Sequence, residues 1–423
     1  MATNAQSFRQ VIVQTSSTRQ RIMGIIFLAL ALITWLVFVR DVAPGDLTSY
    51  GMNATSQSAN LPDWVIPTQP VLIGIAVACA LGGLYQLIIG FGKSTNLALG
   101  AFAFLFIFGF LTWATAGKSI NLAGLLYNTL GAAVPMTLAA FSGVLSERAG
   151  VVNIAIEGMM LMGAMTSAYV GSISHSLWLG LLAGILSSML LAYVHGLLSI
   201  RYKTDQIVSG TVINIFATGL TSYISTKFLQ TYQELNTPPT FSSLPIPGLV
   251  KIPVIGPILF DNNIFIYLMF VFLIVLQVAL FNTRWGLRVR AVGEHPKAAD
   301  TLGINVERTR YMAVLLSGAM AGFAGVYFTL GSVGRFDNLM TGGRGFIGLA
   351  AMIFGQWTPV GSLGAGLLFG FADSLANKLA ILGIDIPSQF LLMVPYIATM
   401  VVLAGVVGKT QSPAADGTPY EKE

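Results

Sequence analysis

Apolar residues fall in long unbroken runs separated by short polar stretches, and the runs recur at the length a bilayer requires. A helix rises 1.5 Å per residue, so about 20 apolar residues cross a hydrocarbon core of about 30 Å. Such runs lie near 22–39, 71–90, 97–116, 124–145, 151–172, 177–200, 207–226, 264–281, 312–331, 362–380 and 388–407. The stretch 345–357 is apolar but too short, and Gly355 and Pro359 break it. Non-helical backbone at membrane depth is tolerated only where protein buries it or where it lines a cavity. This stretch therefore predicts a discontinuous crossing or a re-entrant half-helix. The expected fold is all-α, a polytopic transmembrane helix bundle of about eleven or twelve spans. One transmembrane domain, 22–408, is expected between an N-terminal tail, 1–21, and a C-terminal tail, 409–423.

Composition sharpens this picture. The chain is 55% hydrophobic and 9% charged, against about 25% charged residues in a soluble domain. A net charge of +5 on 423 residues does not point to nucleic acid. The single cysteine, Cys79, lies inside an apolar run and can form neither an intrachain disulfide nor a zinc cluster. Residues 1–20 are polar, and the run from Ile22 ends at Val39-Arg40-Asp41 without a small-x-small cleavage pattern. It reads as a retained first span.

Lysine and arginine set the orientation. With the N-terminus inside and twelve crossings, inner segments hold 15 of the 22 basic residues, among them Lys93, Arg148, Arg201, Lys203, Arg284, Arg288, Arg290, Arg308 and Arg310. Both termini are then expected in the cytoplasm. Two loops are long. Residues 228–263 face outside, are rich in proline and nearly uncharged, and predict a stiff, extended segment. Residues 282–310 face inside and are basic. The polar end of the chain, 411–423, predicts disorder. Gly318 with Gly322 and Gly366 with Gly370 form GxxxG pairs, which let helix backbones approach closely.

Two apparent nucleotide motifs fail on context. GRGFIG at 343–348 follows no predicted strand, and the GKS at 92–94 lacks the earlier glycine of a phosphate-binding loop. No metal ligand spacing occurs among the three histidines, and no metal site is expected.

Within the inner loop, NTRWGLRVRAVGEHPKAADTLG at 282–303, Pro296 suits a first helical turn and Gly303 a helix end. A short helix of about 296–302 follows, standing off the membrane, with Ala298, Ala299 and Leu302 as its small apolar face. At membrane depth the polar candidates are Asn153, Glu157, Asn214 and Gln356, with Phe354 and Trp357 at the break of the half-helix. An intramembrane acid is costly and marks a functional position by default. Glu157 has two readings: substrate handling, or a structural carboxylate paired with Arg148 or capping a broken helix. Asp373 is expected to pair with Lys378.

The 282–303 segment resembles the cytoplasmic coupling loop of ABC importer permeases, narrowly the simple-sugar and nucleoside branch that serves basic membrane lipoprotein-type binding proteins. GVLSERAGVVNIAIEGMMLMG at 143–163, TDQIVSG at 204–210 with Asn214, SGAMAG at 317–322 and GRGFIGLAAMIFG at 343–355 agree with that family in order. Together they cover about 125–405; the first 120 residues match less distinctively. The resemblance implies a permease that hydrolyses nothing and carries no cofactor, ATP and magnesium belonging to a partner ATPase, expected as a tandem polypeptide. It implies coupling through Arg288, Arg290, Gly293, Glu294, Pro296, Ala298, Ala299, Leu302 and Gly303. It also implies a second permease chain, an external substrate-binding lipoprotein and a bacterial or archaeal plasma membrane. Nucleosides or related simple sugars are the expected cargo, passing Asn153, Glu157, Asn214, Phe354, Gln356 and Trp357. The alternative is an ion-coupled secondary transporter of a small polar solute, which also uses broken helices but needs no docking helix.

The charge distribution makes a topological prediction. In a Cys79→Ser background, a single cysteine at Ser242 should react with an impermeant thiol reagent on intact cells. One at Ser412 should react only after the membrane is opened. Labelling of Ser412 alone would invert the assignment.

Overall fold

The computed structural model describes residues 17–55, 60–382, 389, 390, 393 and 412–422. The run expected at 388–407 lies almost wholly outside them. The chain divides into two compact units, 1–52 with 61–122, and 53–60 with 123–423.

The first unit contains helices α1 (Ser17–Ile33), α2 (Thr68–Ile88) and α3 (Thr95–Ala114). Beside them strands β1 (Leu47–Gly51), β2 (Trp64–Pro67) and β3 (Ser119–Asn121) form a small sheet in the order β2-β1-β3. Sheet pairing satisfies the backbone of these polar connections, and the buried Tyr50 hydroxyl meets that of Thr112 at 2.8 Å. Cys79 is fully buried beside Ala31 and Ile75, a packing residue.

The second unit contains α4 (Leu122–Glu147), α5 (Ile156–Ser174), α6 (Leu177–Gly196), α7 (Gln206–Ile224), α8 (Ile255–Phe260), α9 (Ile264–Asn282), α10 (Arg284–Glu294), α11 (Pro296–Thr301), α12 (Val306–Val326), α13 (Arg344–Phe354) and α14 (Pro359–Ile381). Across both units, nine helices among the described residues are long and apolar enough to cross a membrane. Helix α5, as long as α9, is mostly buried. Glycine sets the packing here. A Cβ at Gly318 would press on Ala192 of α6, one at Gly325 on the Met160 carbonyl of α5, and one at Gly370 on Ala133 of α4. Both expected GxxxG pairs therefore lie at close helix crossings.

The segment expected as one span over 151–172 is broken: residues 148–155 are non-helical and α5 starts at Ile156. Side chains compensate the freed backbone. Gln206 Oε1 accepts from Val152 N at 2.7 Å, and a His195 ring nitrogen lies 2.9 Å from the Val152 carbonyl. Asn214 accepts from Gly158 N and donates to the Ile154 carbonyl, both at 2.8 Å. Asn153 donates to Ser317 in the middle of α12 and accepts from Ala155 N. Each of these side chains supplies a hydrogen bond that the broken backbone lacks.

Next to this break the chain runs through 334–343 into α13. Glu157 supplies the cap. Its carboxylate accepts from the Thr341 hydroxyl at 2.6 Å, Gly343 N at 2.8 Å and Gly345 N at 2.6 Å. The expected pairing with Arg148 is therefore corrected: Glu157 caps the half-helix, and Arg148 instead donates to the Trp357 and Gln356 carbonyls at 2.8 and 3.2 Å. Likewise Asp373 pairs with Arg344, at 3.1 Å, rather than with Lys378.

Two loop expectations also change. The 228–263 connection is folded rather than extended, carrying α8 and a hairpin of β4 (Ser243–Pro245) with β5 (Asp261–Asn263). Its prolines bend the chain into short turns, and Asn263 pins it by donating to the Phe241 and Gly331 carbonyls. Residues 412–422, expected to be disordered, are docked on the second unit, with Ala415 N donating to the Gly293 carbonyl at 2.9 Å.

The cap yields a stability prediction. Glu157→Gln keeps the shape but turns an amide NH₂ towards amide donors, so at least one of three charge-assisted bonds is lost. Such bonds are worth about 1.5–3 kcal/mol each. Purified yield and thermal midpoint in detergent should both fall. An unchanged midpoint would remove Glu157 from the frame.

Candidate functional site

The inner loop folds into an elbow. Thr283 caps α10 by accepting from Gly286 N. Pro296 opens α11, Leu302 ends it, and Gly303 leaves it at φ +80°. Asn305 then caps α12 by accepting from Arg308 N at 2.8 Å. The expected helix is present, but its faces differ from the expectation. Ala299 is 2% exposed and packs with Val292 and Val306, turned inward. Leu302, 83% exposed, and Leu287, 61% exposed, present the apolar surface outward, with Arg288 and Ala298 also exposed. Arg290 lies over the Phe281 ring at 5.0 Å. Gly293 rests on the Arg148 carbonyl, where a Cβ could not fit. Glu294 accepts from Ala414 N at 3.1 Å.

Of the six residues expected along a substrate path, Asn153, Glu157, Asn214 and Trp357 are engaged by side-chain hydrogen bonds at the two breaks, while the Gln356 side chain is exposed. Asn153, Glu157 and Asn214 bind backbone as described above. Trp357 is 6% exposed and donates its indole N–H to Glu147 at 2.6 Å. Phe354 meets Phe369 edge-on at 6.0 Å. Gln356 and Trp357 adopt φ of +55° and +51°, a strained turn that the Arg148 guanidinium holds by its carbonyls. The buried Trp357 ring offers no open face.

A different region does. A cavity of about 320 Å³ lies above the start of α13, between the middle of α4, the end of α12, the 332–340 segment and α14. Its lining includes Tyr327, Phe328, Asp337, Arg344 and Asp373. The α12 helix widens there into a π-helical stretch, Tyr327–Val333, a distortion frequent at functional sites. Arg344 sits 5.8 Å from the Phe328 ring and 3.1 Å from Asp373. The cavity therefore offers aromatic surface, two carboxylates and a cation together. Sequence reading treated Asp373 as structural and passed over Tyr327 and Phe328, since aromatic residues on an apolar run carry no local mark of a cavity.

The family described as branched-chain amino acid transport system / permease component matches residues 125–407. The chain is 42% identical to the guanosine ABC transporter permease protein NupQ of Bacillus subtilis, over 70% of this chain and 95% of that one. It is 41% identical to the nucleoside ABC transporter permease protein NupC of Lactococcus lactis, with the same coverage of both chains. It is 35% identical to a putative glucose ABC transporter permease protein of Haloferax volcanii, over 69% and 93%. No solved structure matches. The chain belongs to the branched-chain amino acid transport system / permease component family, and is a multi-pass, non-enzymatic permease subunit of an ABC transporter.

Proposed function

We propose that this permease imports nucleosides, and that they pass through the cavity above α13. The observation that carries the reading is the set of groups lining it. Tyr327 and Phe328 supply ring surface for a nucleobase, while Asp337, Asp373 and Arg344 supply acceptors and donors for ribose hydroxyls and base edges. The two nucleoside permeases among its relatives support the same cargo. Simple sugars are the second reading, supported by the putative glucose permease of Haloferax volcanii. Ion-gradient coupling is set aside, because the family is ATP-driven.

The exposed face of α10–α11 is the contact for a separate ATPase, expected in tandem form, which keeps ATP and magnesium. Arg288, Ala298 and Leu302 face that partner, while Gly293, Pro296, Ala299 and Gly303 shape the elbow that presents them. A second permease chain completes the path. The folded 228–263 segment faces an external binding lipoprotein, both termini are cytoplasmic, and the membrane is the plasma membrane. Asn236 supports the external face by clamping Phe336 in both directions, at 2.7 and 2.9 Å.

Two measurements test this. Import of [3H]guanosine by the assembled transporter should fall about fivefold in Tyr327→Ala at equal membrane protein, as expected for a stacking contact worth about 1 kcal/mol. Unchanged import by the variant, together with full competition by ribose, would replace nucleoside with sugar. Leu302→Asp places a charge on the outward face of α11. It should insert normally and lose the co-purifying ATPase, and an ATPase still bound at parental level would remove α11 as the contact.

A further inference from the structure

Residues 412–422 contain no helix or strand, yet they bind most of the elements on the inner side of the second unit. Ala415 N donates to the Gly293 carbonyl and Ala414 N to the Glu294 carboxylate, both at the end of α10. Arg310 of α12, 1% exposed, donates to the Thr418 carbonyl at 3.0 Å. Lys203, between α6 and α7, pairs with Glu421 at 2.9 Å, and Lys422 lies 3.9 Å from Asp300 of α11.

Two further contacts show what this segment supports. The elbow has a core of only three buried apolar side chains, Val292, Ala299 and Val306, and Tyr420 packs against it. A six-residue helix such as α11 gains almost nothing from its own hydrogen bonds, so its position depends on such packing. On the other side, the Asp416 carboxyl is buried against Glu147 at the end of α4 and faces Arg310. Burial pushes this carboxyl up to about 7. A part-protonated acid beside Glu147 avoids the repulsion of two full charges. Glu147 in turn holds the Trp357 indole at the foot of α13.

We propose that residues 412–422 are a force-transmitting strut, fixing α10–α11 to the 147–150 segment and α12 so that movement of the elbow reaches the foot of α13. The strut rests on the reading of α11 as the ATPase contact. It makes one demand that a merely stabilising tail does not: the segment stays docked through the transport cycle, and its loss separates ATP hydrolysis from import.

The test uses the assembled transporter in proteoliposomes, reading ATPase co-purification, ATP hydrolysis and guanosine import per ATP. A chain ending at 411 should insert, keep its ATPase and hydrolyse ATP, while import per ATP falls at least tenfold. Tyr420→Ala, which removes one ring and leaves the rest of the tail, should lower the ratio several-fold, and it decides the matter if the shortened chain is not recovered. In a Cys79→Ser background, Lys203→Cys with Glu421→Cys should be joined by a short bifunctional thiol reagent without loss of import. Normal import per ATP in the shortened chain or in Tyr420→Ala would overturn the strut, and so would a cross-link that blocks import. Failure of the docking reading is seen separately, as an ATPase that stays bound to Leu302→Asp.

Discussion

Backbone that leaves helical geometry inside a bilayer must find its hydrogen bonds within the protein, and this constraint organises the second unit. Two chain segments break, 148–155 and 334–343, and each is satisfied by side chains from the other or from neighbouring helices. Glu157 serves both: it stands in the first turn of α5, where one break ends, and binds the donors of the other. A carboxylate suits this place because free N–H groups at a helix start carry partial positive charge. The cavity lies at the start of α13, where Arg344 is part of its lining.

Much of the bundle was legible in the sequence because membrane spans are coded by length and apolarity, both local properties. The short run at 345–357 announced a half-helix for the same reason. The break at 148–155 was only partly legible: Asn153 and Glu157 hint at it, but Val151, Val152, Ile154 and Ala155 prolong the following apolar run. The partners that fix it are remote, since Gln206, His195, Asn214 and Ser317 lie between 43 and 164 residues from the groups they bind.

The site was less legible, for a related reason. A polar residue in an apolar run is conspicuous whether it meets substrate or backbone, so Asn153 and Asn214 drew attention that their hydrogen bonds now explain. Tyr327 and Phe328 were inconspicuous, because an aromatic residue looks the same in a core and in a cavity wall. The inward turn of Ala299 and the outward turn of Leu302 depend on how α11 leans on Val292 and Val306. The C-terminal segment looked disordered because its composition is polar. What orders it is a set of single contacts spread over five elements, with Tyr420 and the buried Pro413 as its only apolar anchors of any size.

These contacts form a continuous chain from the cytoplasmic surface to the cavity. Gly293 lets α10 rest on the Arg148 carbonyl. The Arg148 guanidinium grips the two carbonyls at the strained turn after α13, and Glu147 grips the Trp357 indole of that turn. At its other end α13 is held by Glu157, and Arg344 in its first turn forms the ion pair with Asp373 in the cavity wall. Closely packed elements of this kind move as bodies rather than deform. A helix of eleven residues held at both ends therefore carries a displacement along its length of about 16 Å. A tilt of α10 that moved Arg148 would shift the foot of α13, and the shift would be felt next at Arg344. The same geometry explains the use of charge at both ends. An arginine on carbonyls and a carboxylate on amides each oppose the partial charge of the helix end they hold, so α13 is gripped most firmly where force would enter and leave it.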